Sequence, residues 1–110
     1  MRVKTNELTG AALDWAVAEA SGTPIYRSWK TLTRMDMDGQ HYWQPSIDWS
    51  QGGPIIQREE LSSLKCYSTN EWGCLNGEVF CEGPTPLVAA MRCYVASKLG
   101  DEVEIPEELV

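Results

Sequence analysis

Two short segments of this 110-residue chain gather groups that recognition chemistry uses. The first reads Ser46-Ile47-Asp48-Trp49-Ser50-Gln51-Gly52-Gly53-Pro54-Ile55-Ile56-Gln57-Arg58. Gly52 and Gly53 let the backbone approach a ligand closely or take a positive φ. Asp48 and Ser50 offer an acceptor and a hydroxyl, to a ligand or to the loop itself. Trp43, just upstream, and Trp49 present flat faces for a base or another ring. Arg58 supplies a cation that forks onto phosphate or carboxylate. The same residues also fit a self-contained turn with Asp48 as its Asx cap. The second segment is Gly83-Pro84-Thr85-Pro86, ahead of an apolar run. Free N–H groups at a helix start attract anions, and Thr85 adds a hydroxyl. Ordinary capping by Thr85 uses the same residues without a ligand. Arg92 lies about two turns further on and reaches such a site only from a neighbouring face or subunit.

Catalytic arrangements fit the sequence less well, and no catalytic residues are assigned. His41 is the sole imidazole. A triad on it needs Ser46 or Ser50 as nucleophile, and no nucleophile-elbow pattern surrounds either. Glu59 and Glu60 are adjacent, so on a helix or strand their carboxylates point apart. No Walker-type glycine loop occurs. Cys66, Cys74, Cys81 and Cys93 are spaced too widely for Cys-x-x-Cys knuckles. In a reducing compartment they are expected to be free, structural thiols. Neither a metal nor a cofactor is expected.

The elements that must position these groups follow from periodicity and caps. A first helix is expected over about 5–20, capped by Thr5 or Asn6, with Leu8, Ala11, Ala12, Trp15 and Ala18 or Glu19 along one face. Gly22 closes it and Pro24 prevents its continuation. Residues 25–29 suit a short strand, and 36–40 a turn with Asp38-Gly39 at its tip. The stretch 42–54 holds too much Gly, Pro and Ser for a helix. Residues 55–58 suit a short strand or a turn of helix. A hairpin is expected around Asn76-Gly77, with Cys74 opposite Val79 and Trp72 opposite Cys81. Cys74 and Cys81 are then diagonal neighbours, poorly placed for a disulfide. The second helix is expected over about 86–99, with Thr85 as N-cap, Pro86 at the first helical position and Gly100 just past the end. Leu87, Ala90, Met91, Tyr94 and Val95 form its buried face. Val103 and Ile105 suit a short edge strand before Pro106. These elements give an α+β fold: two main helices packed on a small antiparallel sheet that includes the hairpin.

Length favours one domain spanning 1–110. The formal net charge is −7, from sixteen Asp and Glu against nine Lys and Arg. That balance disfavours general nucleic-acid binding. No apolar run is long enough for a membrane helix, and the first residues lack a signal-peptide core, so a cytoplasmic setting is expected. Five Trp and four Tyr against one Phe favour partly wet sites and interfaces. Alanine-rich and tryptophan-rich faces in so short a chain suggest a homo-oligomer, most simply a two-fold dimer.

Three blocks resemble the NinX family of phage proteins. They are Thr5-Asn6-Glu7-Leu8-Thr9-Gly10-Ala11-Ala12-Leu13-Asp14-Trp15-Ala16-Val17-Ala18, then Asp48-Trp49-Ser50-Gln51-Gly52-Gly53-Pro54-Ile55-Ile56, and the stretch from Gly83-Pro84-Thr85-Pro86 to Gly100-Asp101-Glu102. Residues 24–42 and 61–78 carry little recognisable pattern. The resemblance implies a small accessory protein of tailed phages working in the host cell cytoplasm. It implies no activity and no catalytic residues. Two functions fit the residues. One is a non-enzymatic binder that holds, and so sequesters, a small anionic, nucleotide-like ligand. Its site lies between the 48–54 loop and the Thr85 helix start, with Trp43, Arg58 and Arg92 contributing. The other is an acidic protein-interaction module acting on a host or phage protein through the 102–108 tail and exposed Trp residues.

Overall fold

The structure, a computed structural model, describes residues 1–36, 39–61 and 63–110, without the Asp36 side chain. In chain order the elements are β1 (Arg2–Lys4), a 3-10 turn (Thr5–Glu7), α1 (Gly10–Ser21), β2 (Tyr26–Ser28), β3 (Thr31–Asp36), β4 (Gly39–Tyr42) and α2 (Trp49–Arg58). They continue as β5 (Ser63–Ser68), β6 (Glu71–Asn76), β7 (Val79–Gly83), α3 (Pro86–Leu99), β8 (Glu102–Glu104) and a 3-10 turn (Glu107–Leu109). The fold is α+β, as expected. Its strands form three small antiparallel sheets, β1-β8, β2-β3-β4 and β5-β6-β7, where one sheet was expected.

α3 is the central element. Thr85 caps it by accepting the Val88 N–H at 3.2 Å, and Pro86 opens it without wasting a donor. Leu87, Ala90, Met91, Tyr94 and Val95 are all buried, and Val88, Ala89 and Cys93 join them. A helix buried on so many sides must be surrounded. α3 packs against β5, β6 and β7 on one side and against α1 and α2 on others.

α1 starts at Gly10 rather than near Thr5, with Thr9 in the cap position. Both expected caps are used at long range instead. The Thr5 hydroxyl donates to the Gly100 carbonyl at 2.6 Å, and the Asn6 side chain accepts the Glu82 N–H at 3.2 Å. Gly22 closes α1 in the left-handed conformation, as expected. Its buried face includes Leu13, Ala16, Val17 and, unexpectedly, Asp14, while Trp15 is only half-buried.

The largest correction is α2: residues 49–54 are helical where no helix was expected, while 55–58 take the helical one of their two expected forms. Asp48 sets its start by accepting the Ser50 N–H at 2.9 Å and the Ser50 hydroxyl at 2.6 Å. Gly52 then packs so tightly that a Cβ there would lie 2.5 Å from the Pro45 carbonyl oxygen and 2.7 Å from Leu87 Cδ2. Tertiary contact on α3 thus outweighs the poor helix propensity of Gly-Gly-Pro.

The hairpin forms where Asn76-Gly77 predicts it, in a different register. Asn76 pairs with Val79 and Cys74 with Cys81, so the two turn residues are Gly77 and Glu78. Gly77 has φ +63° at the first central position, the place where a type II′ turn wants glycine. The expected pairing put Asn76 in that turn instead. Cys74 and Cys81 are therefore directly opposite, and both are free thiols. The 25–29 strand is present as β2. β3 and β4 pair up to Asp36 and Gly39, and the rest of the expected Asp38-Gly39 tip lies outside the described residues. The predicted edge strand is β8, held by β1 with Val3 opposite Val103.

Candidate functional site

The residues expected to hold a ligand are dispersed, and most already have partners. Asp48 is committed to Ser50 as the α2 cap. The Gly52 N–H donates to the Asp48 carbonyl at 2.9 Å, and Gly53 lies inside the helix. Arg58 stands at the far end of α2, about 15 Å along its axis from Asp48, and pairs with Glu59 at 3.2 Å. That hydrogen bond raises the Arg58 pKa further above its ordinary value. Glu59 also takes Lys98 at 3.3 Å, tying α2 to α3. Thr85 serves its own helix. Arg92 donates to the carbonyls of Leu8 and Glu82, both at 2.7 Å, and so staples α1's approach and β7 to α3. Burial pushes its pKa below the ordinary arginine value. The seam between Gly52 and α3 is filled by Leu87.

Trp43 is buried rather than presented. Its Nε1 donates to the Asp14 carbonyl at 2.8 Å, and the Arg34 guanidinium lies 5.7 Å from its ring centroid. Gln51 holds the turn that carries it, donating to the Tyr42 carbonyl and accepting the Gln44 N–H, each at 2.6 Å. These bonds bring α1, the end of β4 and the 44–47 turn together around a hollow of about 350 Å³. Gly10, Ala11 and Asp14 of α1 form one wall. Lys30, Thr31 and Leu32 form the second, and Tyr42, Trp43, Gln44, Ser46 and Ile47 close the third.

Two buried polar groups in this hollow are incompletely used. Asp14, 4% exposed, accepts the Ser46 N–H on Oδ1 at 2.8 Å, and no described group donates to Oδ2. Burial raises its carboxyl from 3.8 to about 6, against the favourable bonds from Ser46. The Ser46 side chain is 2% exposed. Its hydroxyl lies close enough to favour the ionised carboxyl, yet makes no hydrogen bond in proper geometry with any described group. Asp14 was missed in the sequence reading. Its signal is an acid set between the apolar residues Ala11–Leu13 and Trp15–Ala18. Ser46 opens the 46–58 segment and is otherwise an expected nucleophile only if a triad forms on His41.

The outer face of β2-β3-β4 is a second candidate. Register places Tyr26 opposite Thr33 and Thr33 opposite Tyr42, so the three side chains form one cross-strand row, with Met35 further along that face. Tyr26 and Tyr42 are about two-thirds exposed, at 65% and 66%. Trp29, in the turn that joins β2 to β3, is 69% exposed and takes φ +54°.

The cysteines form no such site. Cys74, Cys81 and Cys93 are buried between the β5-β7 sheet and α3, and Cys66 is exposed. A hydrogen bond between Cys74 and Cys93 lowers the first and raises the second, and burial pushes Cys81 up to about 11. Among the described residues no group of three His, Cys, Asp or Glu side chains could hold a metal ion. No helix of the described residues is long and apolar enough to cross a membrane.

Comparison with known families bears on the whole arrangement. The profile described as Bacteriophage P22, NinX, matches residues 4–98. The chain belongs to the NinX family. The matched span contains α1, α2 and nearly all of α3, and with them every residue lining the α1 hollow and the outer face of β2-β3-β4. Both candidates therefore lie inside the NinX region. No curated protein matches the chain.

Proposed function

We propose that this NinX-family chain is a non-catalytic phage accessory protein that docks another protein on the outer face of β2-β3-β4, in the host cytoplasm. The observation that carries the reading is the uncovered Tyr26-Thr33-Tyr42 row. Its rings make no ring contact with any described group, and amphipathic rings in that state suit interfaces. The other open sheet face differs. On β5-β6-β7, Tyr67 and Phe80 pack edge to face with centroids 6.5 Å apart and close over Gly73.

Charge favours an acidic partner. Residues 26–42 hold three of the nine Lys and Arg but only two of the sixteen acids, giving +1 in a chain of −7. Lys30, in the turn that joins β2 to β3, steers a negative surface toward that end of the sheet, whereas Arg27 and Arg34 alternate onto the face opposite the aromatic row. The acidic tail is a weaker docking element, because three of its acids are already paired at the surface. Glu102 pairs with Arg2 at 3.2 Å, Glu104 with the N-terminus at 3.1 Å and Glu108 with Arg27 at 3.7 Å.

The test starts from tagged protein in phage-infected cells. A captured partner is identified, purified and measured against variants of this chain. Tyr26→Ser combined with Tyr42→Ser should weaken binding at least tenfold, while Tyr67→Ser combined with Phe80→Ser should leave it within twofold. Loss confined to the second pair would overturn the proposal. Light scattering at low concentration guards against self-association. A dimer dissociated by the Tyr26 and Tyr42 changes would make a second copy the occupant.

A further inference from the structure

We propose that the hollow at the start of α1 binds a planar nitrogen heterocycle of nucleobase type, whose N–H meets Asp14 Oδ2 and whose ring acceptor meets the Ser46 hydroxyl. This site meets the docking face at Tyr42 and Lys30 but is built from Asp14, Ser46 and Trp43, and it stands whether or not a protein docks there.

The hollow holds a polar group that the described residues leave unpaired. Buried polar atoms are nearly always satisfied, so the Ser46 hydroxyl, buried and unpaired, calls for a partner, and the second oxygen of Asp14 beside it can take a donor as well. Asp14 is an acceptor when ionised and needs a donor; Ser46 can donate or accept. A bare cation would satisfy Asp14 but would face Lys30 and the positive end of α1. A bare anion would suit those two and meet the buried carboxylate. A neutral ring with a donor beside an acceptor suits all of them. The volume of about 350 Å³ is at the small end for ligand sites, room for one ring system. Buried Leu32 and Trp43 give the hollow apolar floor, and Tyr42 stands at its rim. Lys30, exposed at the same rim, is placed to meet a phosphate carried by the ring's sugar.

The probes are adenosine, cytidine, guanosine and uridine, each with its 5′-monophosphate, titrated into the full chain by calorimetry and by amide and indole NMR shifts. At least one nucleoside should bind and shift the Trp43 indole signal. Its monophosphate should bind more tightly, with the increment lost in Lys30→Ala. Asp14→Asn keeps an acceptor for the Ser46 amide and sets an NH₂ where Oδ2 stood, so it should weaken binding tenfold or more. Ser46→Ala should weaken it severalfold and serves as the second variant should Asp14→Asn alter the fold, which circular dichroism reports. No response to any of the eight probes would overturn the proposal. So would undiminished binding in both variants.

Discussion

The β5-β6-β7 and β2-β3-β4 sheets are built alike, each from three antiparallel strands in sequence order, but they are finished differently. The inner face of the first is roofed by α3, with Cys74 and Cys81 fully covered, and its outer aromatics pack on each other. The second touches the core through few side chains, chiefly Leu32 and the adjoining Trp43, and leaves Tyr26, Met35 and Tyr42 open. The first sheet's outer aromatics stay about half exposed, at 53% for Tyr67 and 46% for Phe80, but they cover each other's edges and Gly73. The second holds apolar surface that folding left uncovered, which is where recognition is expected.

Two methionines give the sharpest test of that contrast. Met91 is 0% exposed in the middle of α3, and Met35 is 54% exposed on β3. Met91→Ala should cost about 2–5 kcal/mol in urea unfolding, because it removes buried surface and leaves a cavity. Met35→Ala should stay within about 0.5 kcal/mol. Similar losses at both positions would mean that the β2-β4 sheet is as integral to the core as α3, and the comparison would fail.

Asp14 sits where the two regions meet, since its carbonyl accepts from Trp43 and its carboxyl from Ser46. Its pKa is raised by burial from 3.8 to about 6, so the folded chain binds this proton more tightly than the unfolded one. The resulting stability is fully present below about pH 4 and is lost as pH rises through about 6, worth roughly 3 kcal/mol at most. Asp14→Asn removes the ionisation and retains an oxygen for the Ser46 amide. The variant should match the wild type near pH 4 and exceed it at pH 8 by up to that amount. Paired urea titrations at the two pH values check this. A constant difference across the range would show that Asp14 is not the buried titrating group.

The same division explains what the sequence could disclose. Thr85, Pro86 and Gly100 act on their own helix within a turn of where they stand, so α3 is legible from its residues alone. Gly77 marks its hairpin for the same reason, although the register depends on which of Asn76 and Gly77 takes the first turn position. α2 is not legible, because its stability rests on Gly52 meeting Pro45 and Leu87, the latter from a distant helix. Thr5 and Asn6 have the chemistry of caps but pair with Gly100 and Glu82, which no local rule anticipates. The α1 hollow is hidden likewise. Asp14 and Ser46 lie 32 residues apart, and neither carries a motif. The expected ligand residues were chosen for glycine freedom and free amides. In the folded chain that freedom serves packing at Gly52, and its amide serves α2.

A smaller effect than those at Met91 and Asp14 is expected at Trp29. A bulky residue at φ +54° pays a steric penalty of roughly 1–2 kcal/mol that glycine does not. Its ring recovers little by packing, since it is 69% exposed, with Lys30 Nζ over it at 5.5 Å from the ring centroid. Trp29→Gly should therefore raise stability slightly, by about 1 kcal/mol, once the greater freedom of glycine in the unfolded chain is counted against the relieved strain. A residue held in strain where it buries almost nothing is better explained by a task outside the fold. The same variant should accordingly weaken partner binding at the β2-β4 face while leaving nucleoside titration of the α1 hollow unchanged. A loss of stability instead would mean that the indole packs against the chain after all, and Trp29 would then belong with the residues that close the fold.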